Sequence, residues 1–243
     1  MLICSNKLIY SYNPPPLLND LIHQLQSSSN PQTATPMAAY MRNQFPYLGI
    51  KTPEREQLVK SWLQTQLTPS DVDLLAWVQT LYELPEREFQ YAACDLLKSR
   101  MRHLDPSFWL PQVETFITFK PWWDTVDVWS PKITAGLLKR APEQIVHFPD
   151  QWIHSTNFWL QRAALIFQLN YRNQMDLDRL FHYCQLRMES SEFFVQKAIG
   201  WGLRSASRYF PDEVVEFLER EQHSLAPLSL REGSKLLKKK GLW

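Results

Sequence analysis

Three short segments recur at matching places within apolar, helix-patterned stretches: Gln90-Tyr91-Ala92-Ala93, Gln161-Arg162-Ala163-Ala164 and Gln196-Lys197-Ala198-Ile199. They lie 71 and 35 residues apart, so a unit of 35 residues repeats and one copy is missing near residue 125 or 126. A two-helix unit of that length cannot bury its apolar face alone and must stack on its neighbours. The expected fold is therefore all-α, an α-solenoid of helix pairs whose curvature offers a long concave surface. The length of 243 residues allows about seven such units at most, roughly six after an irregular start.

Helix punctuation agrees with this. Thr52-Pro53-Glu54 and Ser130-Pro131 each place a capping residue before a first-turn proline, and Ser70-x-x-Asp73 has the spacing of a capping box. Between such signals apolar residues return at helical intervals, as in Leu58, Trp62 and Leu63, or Phe158, Leu160, Ala164, Leu165 and Leu169. Strand-like alternation bounded by Asn-Gly or Asp-Gly does not occur. His147-Phe148-Pro149-Asp150 and Tyr209-Phe210-Pro211-Asp212 fit turns between helices. The proline run 14–16 and the polar stretch Gln26 to Pro36 read as irregular. The expectation is one repeat domain over 1–243, partly irregular over 1–36.

Composition removes several function classes. Only 6 residues are Gly against 17 Pro, and neither G-x-G-x-x-G nor G-x-x-x-x-G-K-[ST] occurs, so glycine-loop phosphate binding has no support. The 26 Lys and Arg nearly balance the 25 Asp and Glu, which excludes a polycationic binder and leaves local asymmetry of charge as the route to a nucleic-acid surface. Cys4, Cys94 and Cys184 are odd in number and widely spaced, which points to a reducing compartment without structural zinc. The histidines His23, His103, His147, His154, His182 and His223 show no metal-ligand spacing, so neither metal nor cofactor is expected. There is no nucleophile-elbow motif. Asn6 and Lys7 interrupt the apolar start, which is too short and polar for a secretory signal, and no run of 18 apolar residues exists. An intracellular protein away from membranes is expected.

Chemistry-bearing residues concentrate in Lys120-Pro121-Trp122-Trp123-Asp124-Thr125-Val126-Asp127. On a helix Trp123 and Asp127 are i and i+4, so the indole and the carboxylate share a face. The repeat puts a small apolar residue, the first Ala, where Asp127 stands, and a carboxylate there is costly unless paired or used. A structural ion pair with Arg162 and a functional carboxylate are the two readings. A second stripe carries Lys197, Trp201, Arg204 and Arg208 at i, i+4, i+7 and i+11. Three cations around an indole suit a phosphate backbone with a base nearby, against the alternative of a solvated helix face. Arg162 lies one repeat before Lys197, so neighbouring stripes would line the same wall. Lys238-Lys239-Lys240 reads as a frayed, solvated tail.

With these residues in place the sequence resembles the AlkD-type DNA alkylation-repair glycosylases, enzymes of HEAT-like helical repeats that release cationic 3-methyl and 7-methyl purines from duplex DNA. The resemblance runs from Tyr40-Met41-Arg42-Asn43-Gln44-Phe45-Pro46-Tyr47-Leu48-Gly49-Ile50-Lys51-Thr52-Pro53-Glu54-Arg55, through Trp122-Trp123-Asp124-Thr125-Val126-Asp127, to Trp201-Gly202-Leu203-Arg204. It implies a catalytic Trp123 and Asp127, an active-site Arg162 that contacts a phosphate and helps position Asp127, and a lesion-facing Trp201. It also implies backbone contacts from Arg204, Arg208, Tyr40, Lys51 and Thr52. The implied enzyme is a monomeric, cofactor-free, monofunctional hydrolase that does not extrude the base. A non-catalytic protein-binding scaffold, or a binder of branched or damaged DNA, is the competing class; Asp127 with both tryptophans present argues against it.

Overall fold

The computed structural model describes residues 16–243; the expectations for Met1 to Asn13, for Cys4 and for Pro14 and Pro15 lie outside the described residues. Helices and turns make up that part, with no strand among the described residues. In chain order these are α1 (Pro16–Ser27), α2 (Pro31–Tyr40), α3 (Thr52–Gln64), α4 (Asp71–Glu83), α5 (Arg87–Arg100), α6 (Pro106–Thr118) and α7 (Trp123–Val128). A π-helical turn, Trp129–Thr134, leads into α8 (Ala135–Leu138), and a 3₁₀ turn, Pro142–His147, into α9 (Pro149–Trp152). After them come α10 (Phe158–Ile166), α11 (Leu177–Arg187), α12 (Phe193–Ala206), α13 (Pro211–Glu221) and α14 (Pro227–Lys240). The chain divides into two compact units, one up to Leu96 and one from Leu97 on, the division falling inside α5. No helix of the described residues is long and apolar enough to cross a membrane.

The repeat read from the sequence is the repeat of the helices. Six described helices open at residues 52, 87, 123, 158, 193 and 227, at spacings of 34 to 36. The recurring glutamine has one job in all its copies. Gln90, Gln161 and Gln196 are each the fourth residue of their helix, and each carboxamide donates to the carbonyl six residues earlier: Leu84 at 2.8 Å, Ser155 at 2.7 Å and Ser190 at 2.8 Å. The turn that feeds the helix is thereby clamped, its carbonyl satisfied without another helix. In α7 the fourth residue is Val126 and this clamp is missing. That register corrects the placement of Asp127. As the fifth residue of α7 it aligns with Tyr91, Arg162 and Lys197, and Val128 takes the place of the first Ala. Alignment on the glutamine motif slips by one residue where the glutamine itself is replaced.

Three other expectations change. The stretch 26–36 is not irregular: α1 runs to Ser27, and the Asn30 side chain caps α2 by accepting from the Gln32 N–H at 3.0 Å, with Pro31 in the first turn. Because α2 buries no side chain, it lacks the apolar period by which a helix is recognised. It is tied down through its start instead, Asn30 N–H donating to the Leu48 carbonyl at 2.7 Å and the Thr33 hydroxyl to the Gly49 carbonyl. Gly49 has φ of +90, and a Cβ there would lie 2.1 Å from the Asn30 oxygen, so a side chain is excluded on two counts. Second, Ser130-Pro131 does not start a helix. Pro131 sits within the continuous segment from α7 through α8, where it cannot give the Asp127 carbonyl an i→i−4 bond, and the widened π turn accommodates its ring. Ser130 instead donates to the Ala163 carbonyl at 2.6 Å, fastening this segment to α10. Third, Lys238, Lys239 and Lys240 form the last turn of α14, closed by Gly241 at φ 70 and by Leu242 N–H donating to the Leu237 carbonyl at 3.0 Å. The tail is not frayed.

Other signals stand close to where they were read. Ser70 and Asp73 form the capping box, Phe148 and Phe210 precede α9 and α13 with proline in the first turn, and the cap of α3 is Lys51, one residue before Thr52. Replacing Gln161 or Gln196 with Ala should cost about 1 kcal/mol of unfolding free energy each, the net worth of an intramolecular hydrogen bond whose acceptor is left part-buried. Urea melts of the two variants measure this, and unchanged midpoints would mean that water satisfies the Ser155 and Ser190 carbonyls equally well.

Candidate active site

The site is assembled within the second unit from equivalent positions of successive repeats. Trp123 opens α7 and Asp127 follows one turn later, both half-buried. Asp127 meets Arg162 of α10, the residue at the same helical position one repeat on. Arg162 Nε donates to Asp127 Oδ1 at 2.9 Å and Nη2 to Oδ2 at 2.8 Å, a parallel two-pronged pair. The third nitrogen, Nη1, donates to the Phe194 carbonyl in the first turn of α12 at 2.7 Å. A single guanidinium therefore joins three helices, and with its side chain only 5% exposed it leaves little for a ligand to touch directly.

Aromatic rings complete the surroundings. The guanidinium carbon lies 6.0 Å from the ring centre of Trp201 and 5.9 Å from that of Phe194, both on α12. Trp122, Trp159 and Phe194 pack mutually at centroid distances of 5.8, 5.2 and 4.9 Å, which holds the start of α7 against α10 and α12. The Trp122 indole N–H is buried there without a hydrogen-bond partner. Burial pushes the Asp127 carboxyl up and the neighbouring Asp124 adds to this; Arg162 pulls it down by charge and hydrogen bond, and the net direction is upward from the ordinary carboxylate value. The result is a poorly solvated carboxylate held in one orientation beside an indole.

Comparison with known proteins identifies the family of the chain. The family model described as DNA alkylation repair enzyme matches residues 21–237. The chain belongs to the DNA alkylation repair enzyme family. Among solved structures it is similar to a predicted DNA alkylation repair enzyme from Enterococcus faecalis, at 34% identity over 87% of this chain and 97% of that one, with a TM-score of 0.79. No curated protein matches the chain.

Within this alkylation repair chain, the residues read from the sequence divide into three groups. Asp127, Arg162 and Trp201 come together, with Trp123 one turn from Asp127 on the same helix. Lys197 and Arg204 share a partner that sequence reasoning missed: Glu232 of α14, with Lys197 Nζ at 3.3 Å from Oε1 and Arg204 Nη1 at 2.8 Å from Oε2. Arg208 is exposed beyond the end of α12, and Tyr40, Lys51 and Thr52 are exposed in the other unit. Glu232 was nevertheless within reach of the sequence, since Asp127, Arg162, Lys197 and Glu232 form one series at steps of 35. The Phe194 carbonyl had no such signal, because a backbone acceptor can belong to any residue type. Cys94 and Cys184 are buried, and burial pushes the Cys184 thiol well above its ordinary range, far from nucleophile chemistry.

Removing the guanidinium strands the carboxylate. Arg162→Gln should lower stability by about 3 kcal/mol at neutral pH, as breaking one side of a buried ion pair does. Without Arg162 the folded-state pKa of Asp127 lies further above its unfolded value, so the folded chain binds the proton more tightly. The deficit is then largest at high pH and shrinks as pH falls through that folded pKa. Urea melts from neutral to mildly acidic pH read it; a deficit independent of pH would place the loss in packing instead of in the unpaired charge.

Proposed function

We propose that this protein is a monofunctional DNA glycosylase that hydrolyses the N-glycosidic bond of cationic N3- and N7-alkylated purines, such as 3-methyladenine and 7-methylguanine, in duplex DNA. In this reading the chain acts as a monomer inside the cell, needs no cofactor, and is a HEAT-like repeat domain that binds the duplex. The observation that carries the proposal is the Asp127 carboxylate, held by both prongs of an Arg162 guanidinium that also lies 6.0 Å from the Trp201 ring centre.

The chemistry follows from the substrate's own charge. An alkylated purine is already cationic, so it departs as a neutral base with the electron pair of the bond to C1′ and needs no protonation. Positive charge then builds on the sugar, where Asp127 stabilises it at short range in a poorly solvated site, and the indoles of Trp123 and Trp201 add cation–π attraction. Water adds to C1′, and Asp127 orients it and receives its proton. Arg162 keeps the carboxylate aimed throughout. The residues come from three successive repeats, a disposition suited to pressing on the sugar and backbone without drawing the base into a closed cavity, unlike enzymes that flip their target.

A second reading rests on the completeness of the Asp127–Arg162 pair: the pair is structural, and the protein binds damaged or branched DNA without hydrolysis. Asp127→Asn separates the two. The glycosylase reading expects base release from methylated duplex to fall by roughly 10²–10³ with duplex affinity nearly unchanged, and parent activity to persist in EDTA. An unfolded variant whose folded fraction keeps full activity would support the structural pair, and no release by the parent at stoichiometric protein would end the proposal. Because burial holds the Asp127 carboxyl above the ordinary value and the ionised form is required, the acid limb of the rate should begin above the free-aspartate value of about 3.9.

Leaving-group charge and an open far side give a further expectation. Bulky cationic N3 or N7 adducts should be released within about one order of magnitude of the methyl lesion, roughly 1.4 kcal/mol in barrier. Neutral lesions such as uracil or hypoxanthine should remain. Single-turnover release from matched duplexes decides it, and rejection of the bulky cation with fast release of the methyl base would show a closed pocket.

A further inference from the structure

The last helix carries a charge pattern that the site described above leaves unused. Its buried side, Ser229, Gly233, Ser234 and Leu237, faces the rest of the second unit. α12 packs closely on it: a Cβ on Gly200 would lie 2.5 Å from the Glu232 Cβ, and Ser229 Oγ donates to the Gln196 carbonyl at 3.0 Å. Opposite the buried side, Arg231, Lys235, Lys238 and Lys239 fall within about 100° of the helix circumference, two rows at spacings of seven and four residues. All four are exposed, none is in an ion pair among the described residues, and no other residue of α14 on that arc is acidic. Glu232 borders the arc and is occupied on its other side by Lys197 and Arg204.

Two explanations that need no ligand fall short. Cations in the last turn offset the helix dipole, which accounts for Lys238 and Lys239. Arg231 and Lys235 stand in the middle of the helix, where that effect has faded. Pairing with Glu232 would account for a cation, but its two oxygens are already taken by α12. Lys235 lies close enough to help hold the Glu232 carboxyl below its ordinary range without bridging to it; burial raises that carboxyl, and Lys197, Arg204 and Lys235 together outweigh it. What remains is three cations around one carboxylate, continuing into an uncompensated basic row on a rigid, capped helix.

We propose that the exposed arc of α14, chiefly Arg231 and Lys235, is a further contact surface for the phosphate backbone of duplex DNA, continuous with the Lys197–Arg204–Arg208 stripe of α12 through Glu232. It rests on the reading of the chain as an enzyme of duplex DNA. Phosphate contacts position a duplex without reading its sequence, and a cation row along a straight helix suits that task. Glu232 acts here as a positioning residue: it fixes the heads of Lys197 and Arg204 with one oxygen each and brings them beside Lys235.

The test is duplex affinity against salt for the double variant Arg231→Gln/Lys235→Gln, glutamine being as good a helix former as the residues it replaces. Arg208→Ala serves as the comparison on α12, and a thermal melt checks that the fold is kept. Two lost phosphate contacts flatten the slope of log K against log salt by nearly two, so the fall in affinity between about 50 and 200 mM salt shrinks roughly tenfold. Lesion-free and lesion-bearing duplexes should shift alike. An unchanged slope for the double variant, with a flattened one for Arg208→Ala, overturns the α14 surface and leaves the glycosylase reading standing. No salt-dependent duplex binding by the parent overturns both. Tighter binding of the parent to anionic phospholipid vesicles than to duplex would assign the row to a membrane surface and overturn it as well.

Discussion

The Arg162 guanidinium is the interaction on which the candidate site depends. Its three nitrogens reach Asp127 on α7 and the Phe194 carbonyl on α12, while its own helix α10 lies between. A flexible cation such as lysine can neutralise a carboxylate but cannot fix its plane and hold a backbone oxygen at the same time. Burial makes the arrangement consequential: a guanidinium this enclosed cannot trade its partners for water. The side chain is read best as the piece that positions Asp127, its direct reach toward a phosphate being limited by the bonds it already makes.

Above this interaction stands the period of the repeat. Helices that open 34 to 36 residues apart bring side chains 35 apart across the same interface, and four charged residues occupy that series in the order acid, base, base, acid. Asp127 and Arg162 form one pair, Lys197 and Glu232 another. The two pairs differ in burial. The first is poorly solvated and held in one geometry, which under the proposed glycosylase reading suits a group acting on a developing charge. The second keeps its cations partly exposed, 38% for Lys197 and 29% for Arg204, which leaves them open to the phosphate contacts proposed above.

How much of this could be read in the chain follows from what each feature depends on. The helix period, the Ser70 capping box and the clustering of Asp127, Arg162 and Trp201 depend on residue type at fixed spacing, and they were legible. Helix α2 was not, because it is secured by Asn30 and Thr33 against Leu48 and Gly49 and so shows no apolar face. Ser130-Pro131 misled because a helix start and a π-turn interruption present the same dipeptide; only the neighbouring Ala163 carbonyl shows which partner the serine takes. The aromatic wall of Trp122, Trp159 and Phe194 was visible as residues but not as a wall, since nothing in one sequence distinguishes packed indoles from presented ones.

The spacing of the partners also sets the order in which the molecule can be built. Arg162 is 35 residues from Asp127 and 32 from the Phe194 carbonyl, and Glu232 is 28 from Arg204. Such separations are short for a tertiary site, so closing the loops between the partners is entropically mild, with each doubling of loop length adding only about 0.6 kcal/mol. Topologies of low contact order fold quickly, and repeat arrays can nucleate locally and propagate. On a ribosome the Asp127–Arg162 pair can therefore close soon after α10 emerges and gain its third partner when α12 follows. The geometry of the candidate site is then acquired helix by helix in the direction of synthesis, before the last basic helix has left the tunnel.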